Sequence, residues 1–126
     1  MTNYPLGDFL IRLKNAGLAK RHEISLENTK VVRKVSEVLK KAGFLDETKI
    51  DKDGVINVRL AFADKQPVLM GIKLVSKPGL RIYGKASQLA NRKGHKIAIV
   101  STPKGIMTAK DAVKANLGGE ILVEIW

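Results

Sequence analysis

Two hydroxyls, a cation and a glycine meet in Ser101-Thr102-Pro103-Lys104-Gly105. The segment leaves an apolar run, residues 97–100, and enters a turn ahead of a helix-like stretch. Hydroxyls and a lysine at such a turn suit a nucleic-acid backbone or an exposed base edge. The same composition also describes an ordinary polar loop. A second pair stands on a strand-like run, where Arg81 and Tyr83 fall on the side opposite Leu80 and Ile82. A cation beside a ring suits single-stranded or irregular RNA, and equally a pair that merely faces solvent.

Catalysis fits these residues poorly. A Ser101 nucleophile would need a base and an orienting acid. Residues 65–110 contain no Asp or Glu, and His95 has no carboxylate near it in the chain. The Gly-x4-Gly-Lys-Ser/Thr spacing of a phosphate-binding Walker loop is missing. His22 and His95 read as surface residues, and with no cysteine there is no disulfide or cysteine zinc site. The expectation is a non-enzyme without metal or cofactor.

Charge supplies the broader signal. The chain carries 23 Lys and Arg against 12 Asp and Glu, a formal net charge of +11. The excess is uneven. Residues 65–110, which include Lys85 and Lys110, hold ten Lys or Arg and no acid. At the average acid content of the chain, about four acids would stand there. One reading is a solvated basic surface. The sharper one is a face kept free of negative charge because it lies against phosphates. Membrane binding suits it less, because the acid-free stretch is mostly strand and turn rather than a basic amphipathic helix. No apolar run approaches the roughly 20 residues of a membrane span. Residues 1–5 do not open a secretory signal, so the cytoplasm is the expected location.

These residues need elements to hold them. Of the 126 residues, 44% are apolar and only 5% aromatic, which implies an aliphatic core. Leu6, Phe9, Leu10 and Leu13 predict a helix over residues 5–19, with Pro5 in its first turn. Asp8 and Arg12 are spaced to pair on it, and Arg12, Lys14, Lys20 and Arg21 offer a second basic surface. A strand follows at 23–26. Asn28 is placed to cap a second helix with the stripe Val31, Val35, Val38 and Ala42, widened by Val32 and Leu39 and stopped by Gly43. Residues 44–62 read as a hairpin turning at Lys52-Asp53-Gly54, with Ile56, Val58, Leu60 and Phe62 alternating. Residues 63–66 read as a polar join.

Beyond the join, Val68, Met70, Ile72 and Leu74 alternate, and Lys77-Pro78-Gly79-Leu80 forms a type II turn. Residues 80–83 return as a strand, 87–92 suit a short helix, and 97–101 a strand. Thr108 with Asp111 opens a helix through Leu117, ended by Gly118-Gly119, and Ile121, Val123 and Ile125 alternate in a last strand. The predicted fold is α+β in two small packed units. Residues 1–63 run α-β-α-β-β, and residues 64–126 are mostly β with one or two short helices.

Several of these segments together resemble one family, that of the eighth protein of the small ribosomal subunit. Pro5-Leu6-Gly7-Asp8 with Arg12 and Asn15 resembles its opening helix, and Lys40-Lys41-Ala42-Gly43-Phe44 the end of its second. Residues 75–83, Ser101-Thr102, Lys104-Gly105-Ile106-Met107-Thr108 and Gly118-Gly119-Glu120 follow its motifs in order. The resemblance implies a bacterial-type structural constituent of the small subunit. Its partners would be the central domain of small-subunit ribosomal RNA and neighbouring small-subunit proteins. Some relatives also bind their own messenger RNA, so a free-standing translational regulator is the alternative. The carboxyl-terminal domain would make the main RNA contacts. Ser101, Thr102, Lys104 and Gly105 are the implied residues, with Tyr83, Arg81, Lys85 and Lys110 nearby. The chain departs from the family at Pro103, where members commonly carry a second serine. Proline offers neither that hydroxyl nor a backbone donor, and it stiffens the loop.

Overall fold

A computed structural model of the chain describes residues 4–91 and 94–126. It divides into two compact units between Gly71 and Ile72. The first runs α1 (Pro5–Leu18), β1 (Glu23–Glu27), α2 (Lys30–Lys41), β2 (Leu45–Ile50), β3 (Val55–Leu60), then the short strands β4 (Phe62–Ala63) and β5 (Gln66–Pro67). The second runs β6 (Ile72–Leu74), β7 (Tyr83–Gly84), α3 (Ala86–Ala90), β8 (Ile97–Thr102), β9 (Gly105–Thr108), α4 (Ala109–Lys114) and β10 (Gly119–Ile125). The fold class is α+β. Among the described residues no helix is long and apolar enough to cross a membrane.

In the first unit an antiparallel sheet in the order β1-β3-β2 carries Ile56, Val58 and Leu60 inward, as their alternation predicts. Helix α1 buries Leu6, Phe9, Leu10 and Leu13. Helix α2 is rotated from its expected stripe. It buries Val32, Val35, Ser36 and Leu39, while Val31 is 42% exposed and Ala42 lies open. The cap also shifts by one residue. Thr29, not Asn28, accepts from the Val32 N–H at 3.2 Å. Gly43, at φ +93°, closes α2 as expected, with Gly43 and Phe44 N–H donating back to Lys40 and Leu39 carbonyls. Arg12 does not pair with Asp8. Its guanidinium donates to the Ser25 carbonyl at 3.0 Å and ties α1 to β1. Phe62 leaves the alternation of β3 and packs against His22, the two rings tilted by 40° with centroids 4.5 Å apart.

The segment read as a polar join is a hairpin instead. Asp64 and Lys65 both take positive φ between β4 and β5. No glycine announces this turn, so its strain is met by a partner. Lys20, itself left-handed where it ends α1, donates to the Lys65 carbonyl at 2.8 Å and to Gln66 Oε1 at 3.1 Å. At the β2–β3 turn, hydrogen bonds from the Val55 and Asp53 N–H groups hold the Asp51 carboxyl below its ordinary value.

In the second unit β10 is the central strand. It pairs with β8 along one edge, and with β6 and β7 along the other. β9 continues the sheet beyond β8. Helices α3 and α4 bring Leu89, Ala109 and Ala112 into one cluster with Ala98, Val100 and Ile121. The expected strands around 68–74 and 80–83 are shorter than their alternation suggests. Met70 and Leu80 are exposed, and the regular strands there are limited to Ile72–Leu74 and Tyr83–Gly84. The turn Lys77-Pro78-Gly79-Leu80 forms as predicted, with Gly79 at φ +85°. Ser76 anchors it. Its buried hydroxyl donates to the Ile121 carbonyl at 2.6 Å and accepts from the Ile82 N–H at 3.0 Å. Helix α3 spans 86–90; the predicted extension to Arg92 lies outside the described residues.

Helix α4 starts at its Thr108 cap as expected but ends early. Asn116, at φ +55°, takes the left-handed closing position, with Asn116 and Leu117 N–H donating to Val113 and Ala112 carbonyls. Gly118 and Gly119 therefore do not stop the helix. They let β10 pass between two strands. A Cβ on Gly119 would collide with the Ser101 carbonyl, and one on Gly118 would stand 2.6 Å from the Gly84 carbonyl oxygen.

Two stability changes follow. Ser76→Ala leaves a buried N–H and carbonyl unpaired and should lower unfolding free energy by ~1–3 kcal/mol in a urea titration. Gly119→Ala should cost at least ~1–3 kcal/mol, because the obstacle is backbone rather than a flexible side chain. Unfolding curves overlaying the parent would refute either reading.

Candidate nucleic-acid interface

The β8–β9 hairpin sets the site. Its register pairs Thr102 with Gly105, Ser101 with Ile106, and Val100 with Met107, leaving Pro103 and Lys104 as the turn. Pro103 stands where a β-turn favours proline, so the missing amide costs the hairpin nothing. Gly105 takes φ +123°, a region that disfavours side chains. Thr102 closes the turn from within. Its hydroxyl donates to the Gly105 carbonyl at 2.7 Å and accepts from the Lys104 N–H at 3.2 Å, and the residue is only 8% exposed. Thr102 is thus a positioning group, whereas Lys104 and Gly105 are exposed at the tip.

Ser101 differs from its neighbour. It is half-buried, and its hydroxyl has no side-chain partner among the described residues. Its surroundings follow from the sheet. Ser101 lies opposite Glu120 on β10, and Glu120 lies opposite Tyr83 on β7. Directly opposed residues share a face, so Tyr83, Glu120, Ser101 and Ile106 form one row across four strands. Their chain neighbours Ile82, Ile121, Val100 and Met107 belong to the cluster under α3 and α4. The row therefore occupies the face turned away from those helices.

Tyr83 is 69% exposed, leaving its ring open to a flat partner. Arg81 reaches Glu120 with its guanidinium, 3.3 Å from Oε2. This pair is partly exposed and contributes little stability, but it offsets the one carboxylate in the row. Lys85 opens α3, its N–H on Gln88 Oε1 at 2.7 Å, directly after Gly84, which pairs with Gly119. The side chain of Lys85 is exposed at this end of β10.

The sheet thus brings Ser101, Lys104, Gly105, Tyr83, Arg81 and Lys85 to one end of the unit. Lys110 does not join them. It stands on α4, past Thr108, which pairs with Ile99 roughly 10 Å further along the hairpin at the usual strand rise. Glu120 and Ile106 enter the site without having been singled out from composition. Alternation placed Glu120 opposite Ile121, but only the strand order reveals that it lies between Tyr83 and Ser101.

Known proteins match this chain along its length. The family model described as ribosomal protein S8 matches residues 4–126. A small ribosomal subunit protein uS8 from Macrococcus caseolyticus is 39% identical over 127 residues, covering 97% of this chain and 96% of the relative. Proteins of the same name from Staphylococcus saprophyticus and Caldanaerobacter subterraneus are also 39% identical, the first covering 98% of both chains. A full-length family match and three near-complete relatives agree with the motif order along the chain, and the protein belongs to the ribosomal protein S8 family.

Proposed function

We propose that the protein is a structural constituent of the small ribosomal subunit. It binds the central domain of small-subunit ribosomal RNA through the Tyr83–Ser101 row and the Lys104–Gly105 turn, and supports assembly of the ribonucleoprotein in the cytoplasm without catalysis. The observation that carries this reading is the Ser101 hydroxyl, without a side-chain partner among the described residues, in one row with the exposed Tyr83 on the far side of Glu120, on a face without a net negative charge. RNA recognised in this way is irregular: stacked duplex hides its bases, whereas a bulge or loop offers a ring for Tyr83 and polar edges for Ser101. Glu120, an acceptor only, suits a 2′-hydroxyl or a base amino group. Lys104, Arg81 and Lys85 supply phosphate contacts, which position without reading sequence. Neighbouring small-subunit proteins are the remaining partners.

Filter-binding titrations against a central-domain RNA fragment and a scrambled duplex of equal length test this. Selective binding that persists as salt rises is expected; equal binding that collapses with salt would leave only charge at work. Ser101→Ala should weaken binding to the fragment by ~1 kcal/mol or more while remaining folded. Lys104→Ala should lower affinity for both RNAs and reduce the slope of log affinity against log salt by ~1. An unchanged titration for Ser101→Ala would count against the row as the reading surface. Co-sedimentation with washed small subunits separates the ribosomal role from a free-standing regulator of messenger RNA.

A further inference from the structure

A groove of about 510 Å³ opens on the opposite side of the second unit, between α3, the start of β8, and α4. Its floor and wall are aliphatic, with Leu89, Ala98 and Val113 all contributing. Its rim is cationic, with Lys96, Lys110 and Lys114, and His95 beside them. No Asp or Glu lines it among the described residues. Lys96 is held in place by Trp126, its ammonium 4.6 Å from the ring centroid. The other two lysines project from one face of α4, spaced four residues apart. Like charges at that spacing repel each other. An anionic partner would relieve that repulsion.

We propose that this groove docks an acidic segment of a neighbouring protein, with a large apolar side chain seated on the floor and carboxylates on the lysine rim. The proposal rests on the ribosomal reading above, since that reading supplies neighbours, but it uses a different surface. RNA fits the groove less well. Phosphates gain nothing from an aliphatic floor, and bases need a flat platform. Among the described residues the groove offers no Phe, Tyr, Trp or Arg, only the exposed His95 ring. An apolar anchor ringed by opposite charge is the arrangement by which protein interfaces combine burial with selectivity. The acid-free stretch would then serve two partners on two faces, with Arg81, Lys85 and Lys104 toward RNA and Lys96 and Lys110 toward a protein.

The chain has no native cysteine, so a single one can be labelled without side reaction. Lys114→Cys carrying a benzophenone is incorporated into reconstituted small subunits, with Lys52→Cys as a control at the β2–β3 turn. Incorporation is read first by sedimentation. Failure of both labelled chains to enter small subunits would defeat the ribosomal reading and the proposal with it. After irradiation, position 114 should crosslink at least about tenfold more than the control. Sequencing should place the adduct on a protein segment rich in Asp and Glu with at least one large apolar residue. Adding Lys110→Glu should reduce that yield several-fold. Crosslinking to ribosomal RNA, to a basic segment, or at the control level in subunits that did incorporate the chain would overturn the proposal alone.

Discussion

The second unit depends on the closeness with which β10 passes its neighbours at Gly118 and Gly119. The Ser101 carbonyl occupies the space where a Gly119 side chain would begin, and the Gly84 carbonyl does the same for Gly118. Backbone on both sides cannot yield as a side chain would, so the contact fixes both the register and the spacing of β7, β10 and β8. Every feature of the candidate interface inherits that register. Glu120 stands between Tyr83 and Ser101 only because Gly119 lies opposite Gly84. Ser76 secures the same strand from its other edge, through the Ile121 carbonyl.

A strict division of labour between faces follows. Ile82, Val100, Met107 and Ile121 pack beneath the helices, and each is followed or preceded by a member of the outward row. The row is thus set by the core rather than by its own contacts. That suits a binding surface, whose members must remain free for a partner. Thr102 makes the same point from within the motif. Of two adjacent hydroxyls, one is committed to closing the turn and the other is left open. A polar pair in sequence becomes a support and an open hydroxyl in space.

Local signals were legible and non-local ones were not. Ile56, Val58 and Leu60 announced their strand, Gly79 its turn and Thr108 its helix cap, because each depends on residues a few positions away. On α2 two valine stripes overlap, and Val31 and Val32 differ only in what lies opposite them, so the buried face is not set by the sequence locally. Gly118-Gly119 was read as a helix stop because glycine does end helices. The actual stop, Asn116, is a rarer left-handed residue, and the close approach that demands the glycines involves residues far away in the chain. The 64–65 turn was missed for a related reason. Its positive φ values rest on Lys20, which lies at the other end of the unit's sequence. Residue types at the candidate site could be named from the sequence, but not their assignment to one face.

Charge shows most clearly why composition stops short of mechanism. A run of ten cations without an acid looks like one continuous surface. Folded, it is divided by a sheet, because strand alternation and the α4 crossover send successive lysines to opposite sides. Lys104 sits at the hairpin tip and Lys110 on the helix beyond it, separated by only the four residues of β9 and Ala109. The one carboxylate in the outward row, Glu120, comes from outside the acid-free run and arrives already paired with Arg81. A row of cations alone would attract any phosphate equally. A paired carboxylate penalises close phosphate approach at one point while still accepting from a hydroxyl or amino group, so it favours ligands that present a donor there. On the proposed RNA-binding reading, selectivity on this face would arise from where the single negative charge is placed, and the surrounding positive charge would supply attraction without choice.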